Sequence, residues 1–331
     1  MQPVPSHPGR TYGLAHREFD SAPGTWPVFP VPGWDTTGPT LHRWTQVIGK
    51  IRLSLSPPQN HFWHSTLYVS ARGLTTSPIP YGAEYFQVDF DFVDHRLLIR
   101  TSWGPGDSIA LEPKSVADFY AEVMVALRSL GMDISIWTHP VEIPDPIPFQ
   151  EDHVHAAYDR GAAHTFWRVL VQTDRIFKQF RGRFLGKGSP VHFFWGGFDL
   201  AVTRFSGRRA PMWSGPVLNV DPHVMHESYS HEVSSAGFWP GNADAPPMFY
   251  SYAVPQPAGF DQAVVGPREA TYNEMLGEFV LPYESLHASE RPDGRLLEFL
   301  ETTYAAAADL GAWDRPLLEQ VPPCQCDLDR Q

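Results

Sequence analysis

The sequence predicts an α+β protein, with antiparallel sheets flanked by helices in two similar helix-strands-helix halves packed as one body. Three observations carry this reading. Apolar residues recur at helical spacing near 40–55, 115–130 and 160–185. Phe86, Val88, Phe90 and Phe92 alternate with Gln87, Asp89 and Asp91, the period of a sheet with one buried face. The order helix, strands, helix then occurs twice along 331 residues, a length that suits one large body or two units of ordinary size.

Taken in order, residues 1–39 are an arm rich in Pro and Gly, whose Trp26, Phe29 and Trp34 predict docking against the body. The first half spans 40–140. It opens with a helix capped by Thr40, carrying Trp44, Val47, Ile48, Ile51 and Leu55 on one face and stopped by Pro57-Pro58. Strands are expected at 61–72, 84–92 and 97–103, with a tight turn at 93–96 between the last two. After a turn at 104–107, Ser115 caps a second helix that buries Val116, Phe119, Val123 and Leu127 and closes at Gly131. A linker follows at 141–160, where closely spaced prolines favour an extended chain. The second half, 161–315, carries a long helix with Phe166, Val169, Leu170, Phe177 and Phe180 on one stripe. Strands at 191–205, 229–238, 247–254 and 277–282 and a helix near 294–310 complete it, and residues 316–331 form a polar tail. Phe62-Trp63 matches Phe194-Trp195 and Arg72 matches Arg204 at an offset of 132, which suggests a duplication with an insertion near 207–228.

Charge and cysteine usage narrow the function. With 25 Lys+Arg against 37 Asp+Glu the net charge is −12, which repels phosphate backbones and anionic lipid, so neither nucleic acid nor membrane is expected as a partner. The first residues lack the basic and apolar regions of a secretory signal, and no apolar run is long enough to span a bilayer, so a cytoplasmic protein is expected. Cys324 and Cys326 lie one residue apart in the tail and cannot staple distant parts of the fold; without His or Cys neighbours they read as tail residues rather than metal ligands. No cofactor is expected, and the oligomeric state is open.

Several motifs carry chemistry. Gly182-Arg-Phe-Leu-Gly-Lys-Gly-Ser189 is one residue short of a phosphate loop and follows a helix, so no nucleotide site is expected. There is no Gly-x-Ser-x-Gly elbow and no cysteine placed as a nucleophile. The aromatic-rich segments leading from His61 and Trp63 to Arg72, and from His192, Trp195 and Asp199 to Arg204, are the main candidates. If the halves face each other, they line a groove with aromatic walls and a few charged groups, the composition of a small-molecule site. His231 and Glu232 are added as polar contacts, although on a strand they point to opposite faces. Gly196-Gly197 predicts a bulge or a close approach of another group, and Tyr250 and Tyr252 put two hydroxyls on one strand face.

At 49–57, 72–78, 189–201, 203–208 and 229–241, the last reading Tyr-Ser-His-Glu-Val-Ser-Ser-Ala-Gly-Phe-Trp-Pro-Gly, the chain resembles a bacterial family catalogued as domain of unknown function 5996. The resemblance covers about residues 34–316 and implies a soluble protein; it supplies no catalytic residue. The leading expectation is therefore small-molecule binding, or an unidentified enzyme, in a cleft between the halves, contacted by His61, Trp63, Arg72, His192, Trp195, Asp199, Arg204, His231 and Glu232. One alternative is a metal-dependent hydrolase using His223, His226 and His231 with Glu227 or Glu232 as base. Another is a protein-interaction module built on the acidic surface, aromatic arm and Pro-rich linker.

Overall fold

The computed structural model describes residues 25–215, 217 and 219–320; the tail cysteines lie outside them. Helix α1 (Trp34–Leu55) begins six residues earlier than the sequence suggests and contains Pro39. Tertiary contacts outweigh the proline here: Trp34 is buried against Phe166 and donates to the Pro240 carbonyl at 3.2 Å, and the Thr37 hydroxyl accepts from the Asp159 amide. A short 3-10 segment, Asn60–Ser65, stands where a strand was expected, and only β1 (Tyr68–Val69) of that stretch is extended. His61 and Phe62 have left-handed backbone, at φ 60° and 58°, which no strand admits.

The first sheet contains β1, β2 (Gly73–Thr75), β3 (Ile79–Tyr81), β4 (Glu84–Asp91), β5 (Arg96–Thr101) and β6 (Gly106–Ala110). Its order is β1-β2-β4-β5-β6, with β3 also pairing β4, and every pairing is antiparallel. Strand β6 is an addition to the expected set: its buried Ile109 is flanked by Gly, Asp and Ser, too little apolar sequence to signal a strand. Helix α2 (Val116–Ser129) packs on β6 and on α1, and the Ser115 hydroxyl accepts from the Asp118 amide at its start.

Residues 130–159 bend back over the body. Ile143, Phe149 and Tyr158 are buried, and Gln46 holds Val141 by both backbone groups, at 2.8 and 2.9 Å. The prolines thus shape a fitted segment rather than an open spacer. Helix α3 (Arg160–Gly182), capped by Asp159, lies against α1, β8 and the late helix α6.

The second sheet follows chain order except at one edge: β7 (His192–Phe194), β8 (Asp199–Arg209), β9 (His231–Trp239), β10 (Met248–Val254), β12 (Glu278–Pro282) and then β11 (Thr271–Asn273), all antiparallel. The expected single strand at 191–205 is a hairpin whose turn is Trp195-Gly-Gly-Phe198. Helix α4 (Pro222–Ser228) lies in the segment between β8 and β9. After α5 (Tyr283–His287), helix α6 (Pro292–Leu310) packs with α3 on one face of this sheet, and α7 (Arg315–Leu318) ends the described chain. The residues that suggest a duplication occupy unlike positions: Phe62 and Trp63 sit in the 3-10 segment, whereas Phe194 ends β7 and Trp195 begins a turn.

Candidate functional site

Strand alternation on the second sheet builds the floor of a cavity of about 880 Å³. Asp199, Ala201, Thr203 and Phe205 of β8 share one face, with Val233 and Ser235 of β9 and Tyr250 and Tyr252 of β10 beside them. The opposite face carries Leu200, Val202, Phe238 and Phe249 into the core. One wall is α1 with Lys50 and Leu53, followed by the 3-10 segment with His61 and Trp63; another is the bent linker with Trp137 and Glu142. The segment between β8 and β9 covers the floor with Trp213, Asn219 and α4, which packs against the 3-10 segment. Trp137 is 60% exposed, so this wall opens to solvent.

The acidic end is the most specific feature. Tyr250 stands on β10, two strands from β8, yet its hydroxyl donates to Asp199 Oδ2. The ring must cross β9, where its register partner is Gly237; a methyl at Gly237 would overlap the Tyr250 ring. The second carboxyl comes from the linker. Glu142, with left-handed backbone at φ 56°, reaches the hairpin turn at Gly196-Gly197. A methyl at Gly196 would overlap Glu142 Oε1, and one at Gly197 would sit 2.9 Å from Asp199 Oδ1 and 3.3 Å from Glu142 Oε2. The two acids therefore converge beside a turn that needs glycine. Tyr229 and Tyr252 share a hydrogen bond of 2.8 Å, and Trp213 stacks on Tyr229 with centroids 4.7 Å apart.

Electrostatics set this end apart. Glu142 is exposed as a residue, yet desolvation of its carboxyl beside the hairpin turn pushes that group up to about 7, and the Asp199 charge adds to the effect. Burial raises Asp199 to about 6 against the opposing bond from Tyr250, and Glu278 to about 7, again with Asp199 contributing. Burial also drives the Tyr229 and Tyr250 phenols upward and Tyr252 to about 12. No ion pair joins Glu142 or Asp199 to a Lys, Arg or His among the described residues. The cations lie elsewhere. Burial lowers Lys50 to about 8, and its ammonium sits 4.4 Å from the Trp137 ring centre. Lys187 donates to His61 Nε2 at 2.7 Å, which leaves His61 Nδ1–H to donate to the Ser228 carbonyl at 3.0 Å. Burial and then the neighbouring Lys187 and His231 hold that imidazole below its usual range.

Of the residues chosen from sequence, His61, Trp63, Trp195 and Asp199 line the cavity; the others do not. Arg72 is exposed and pairs with Asp91 and with Asp94 at 2.7 Å. Arg204 points to the other sheet face, 2% exposed, with its guanidinium 3.4 Å from the Phe180 ring centre and 4.3 Å from that of Tyr304. His192 is buried between Trp63 and Tyr68, and burial lowers it to about 3. His231 stands 5.9 Å from the His61 ring and meets Ser230 Oγ, whereas Glu232 leaves on the opposite face to Ser206 and Arg208. The metal arrangement does not assemble: His223 pairs with Asp221 on α4, away from His231 on β9, and no three His, Cys, Asp or Glu among the described residues group so as to hold an ion.

Glu142, Tyr229, Trp213, Trp137 and Lys50 complete the cavity although the sequence reading did not select them for the site. The double glycine was the available signal for Glu142, because it implies that something comes close; only the fold shows what. No helix of the described residues is long and apolar enough to cross a membrane. No curated protein and no solved structure matches the chain. The model of a family of unknown function, DUF5996, matches residues 26–320, nearly the whole chain, and the protein belongs to that family.

Proposed function

We propose that the cavity binds a small organic molecule with an apolar or aromatic body and one polar end that meets Glu142 and Asp199. The observation that carries this is the convergence of two carboxyls and three tyrosines on one end of an aromatic cavity of about 880 Å³, a size and composition typical of ligand sites. Backbone strain supports it. Of the nine described non-glycine residues with positive φ, His61, Phe62, Glu142 and Asn219 line this cavity, and Phe198 directly precedes Asp199. Such residues gather where a fold holds a site in place. The net charge of −12 further supports a small molecule rather than nucleic acid as the ligand.

A fragment screen by thermal shift tests the reading, with Ala201→Phe as control, since that ring enters the cavity from the start of β8. Aromatic fragments should raise the unfolding midpoint of the natural protein and leave that of the variant unchanged. Fragments that stabilise both equally, or none that stabilises the natural protein, would refute it.

A further inference from the structure

Resting on that reading, we infer that the molecule bound is an organic cation, an amine or quaternary ammonium carried on an aromatic or alkyl body, with its positive group between Glu142 and Asp199. Both carboxyls reach a single point beside Gly197, and neither has a cationic partner among the described residues. Two carboxyls at one place repel each other once ionised, and a positive group between them would remove that repulsion. The fold nevertheless aims them there. Glu142 adopts left-handed backbone, Gly196 and Gly197 make room for its carboxyl, and Gly237 lets Tyr250 cross β9 to fix Asp199.

The walls suit a cation equally well. Trp213 stacked on Tyr229, and Tyr250 stacked on Tyr252 at 17° between planes, line the same cavity as the acids. Aromatic faces attract ammonium groups, and enclosures of this kind are the usual means of holding quaternary ammonium. The protein already uses that interaction nearby, with Lys50 against Trp137 and Trp195, and Lys187 against Trp63 and Phe205. Those two resident ammonium groups make ring contacts and leave the carboxyls unpaired. An anionic ligand would meet Lys50 against the carboxyls of Glu142, Asp199 and Asp221 on the same lining.

The test uses three probes that share a phenyl body: 2-phenylethylamine, 2-phenylethanol and phenylacetate, titrated at pH 8 with quenching of the cavity tryptophans as readout. The amine should bind at least about tenfold more tightly than the alcohol, and phenylacetate least tightly. Glu142→Gln should bring the ratio of amine to alcohol affinity close to one, and measurable binding of the alcohol to the variant reports that the cavity is still formed. If the alcohol or phenylacetate binds as well as the amine, the cation inference falls while the cavity remains a binding site. If none of the three binds, both fall.

Discussion

At the scale of single residues, the converging carboxyls make the clearest prediction. Folded, Glu142 keeps its proton up to about pH 7, against 4.5 for a free carboxyl, so between those values the native state holds a proton that the unfolded chain has released. Stability therefore falls as pH rises through this window, because the unfolded chain gains by releasing the proton while the native state keeps it, with Glu278 and the Tyr229, Tyr250 and Tyr252 phenols around Asp199 supplying no positive partner. Glu142→Gln should match the natural protein's unfolding midpoint below pH 4.5 and exceed it at pH 8. A difference that does not change with pH would mean that the carboxyl is not desolvated. The arginines chosen from sequence behave differently. Arg204→Ala should cost about 3–5 kcal/mol in chemical denaturation, since it empties a buried site between Phe180 and Tyr304 and strips Glu301 of a partner, yet leave ligand binding intact. Arg72→Ala should alter neither. This separation was partly legible in the sequence. Asp199 and Arg204 are five positions apart on one strand, an odd interval that sends them to opposite faces, so a single groove could not hold both. The same parity put Tyr250 and Tyr252 together, and the structure has them on one face.

Among the elements, those whose apolar pattern repeats over several turns or strand pairs could be read from the chain, and those captured by distant contacts could not. The helical stripes of α2, α3 and α6 and the alternation of β4 are local signals. The 3-10 segment is not. Its backbone is fixed from outside, with Arg52 Nε donating to the His64 carbonyl at 2.8 Å and Trp195 Nε1 to that of Ser65 at 2.6 Å. The aromatic run predicts a strand, and these contacts from outside fold it into a 3-10 turn instead. The second sheet offers an element-scale test at Gly237, the position of β9 over which Tyr250 lies. Gly237→Ala should destabilise by about 1–3 kcal/mol, because the ring must leave its path and release Asp199. Tyr250→Ala removes the ring, so adding Gly237→Ala to it should cost much less than in the natural protein. A double-mutant cycle in urea measures that coupling, and strict additivity would show that Gly237 does not serve Tyr250.

Over the whole molecule, the two sheets are joined more closely than a boundary at the Pro-rich segment would suggest. β1 and β7 meet through reciprocal backbone bonds between Leu67 and Phe193, at 2.9 and 2.8 Å, and α1 packs on α3. The buried apolar residues form one cluster from Trp26 to Ala308, running through both sheets and the linker. The arm closes it: Trp26 packs on Phe249 and Tyr283, and its Nε1 donates at 2.8 Å to Asp293 Oδ1, a carboxylate that Arg175 also holds. The cover of the second sheet comes in part from the arm and α1, and the cavity has the same property, its floor and Asp199 from the second sheet and Glu142 from the linker. Folding of one region should therefore depend on the other. Calorimetry should show a single transition, and Trp26→Ala should shift that whole transition to lower temperature, at a cost of about 3–5 kcal/mol. Thermal denaturation followed by tryptophan fluorescence and by far-ultraviolet circular dichroism should give coincident curves for both proteins. Two resolved transitions, or a Trp26→Ala effect confined to an early one, would mean that the sheets unfold separately and that the cavity can open while each remains folded.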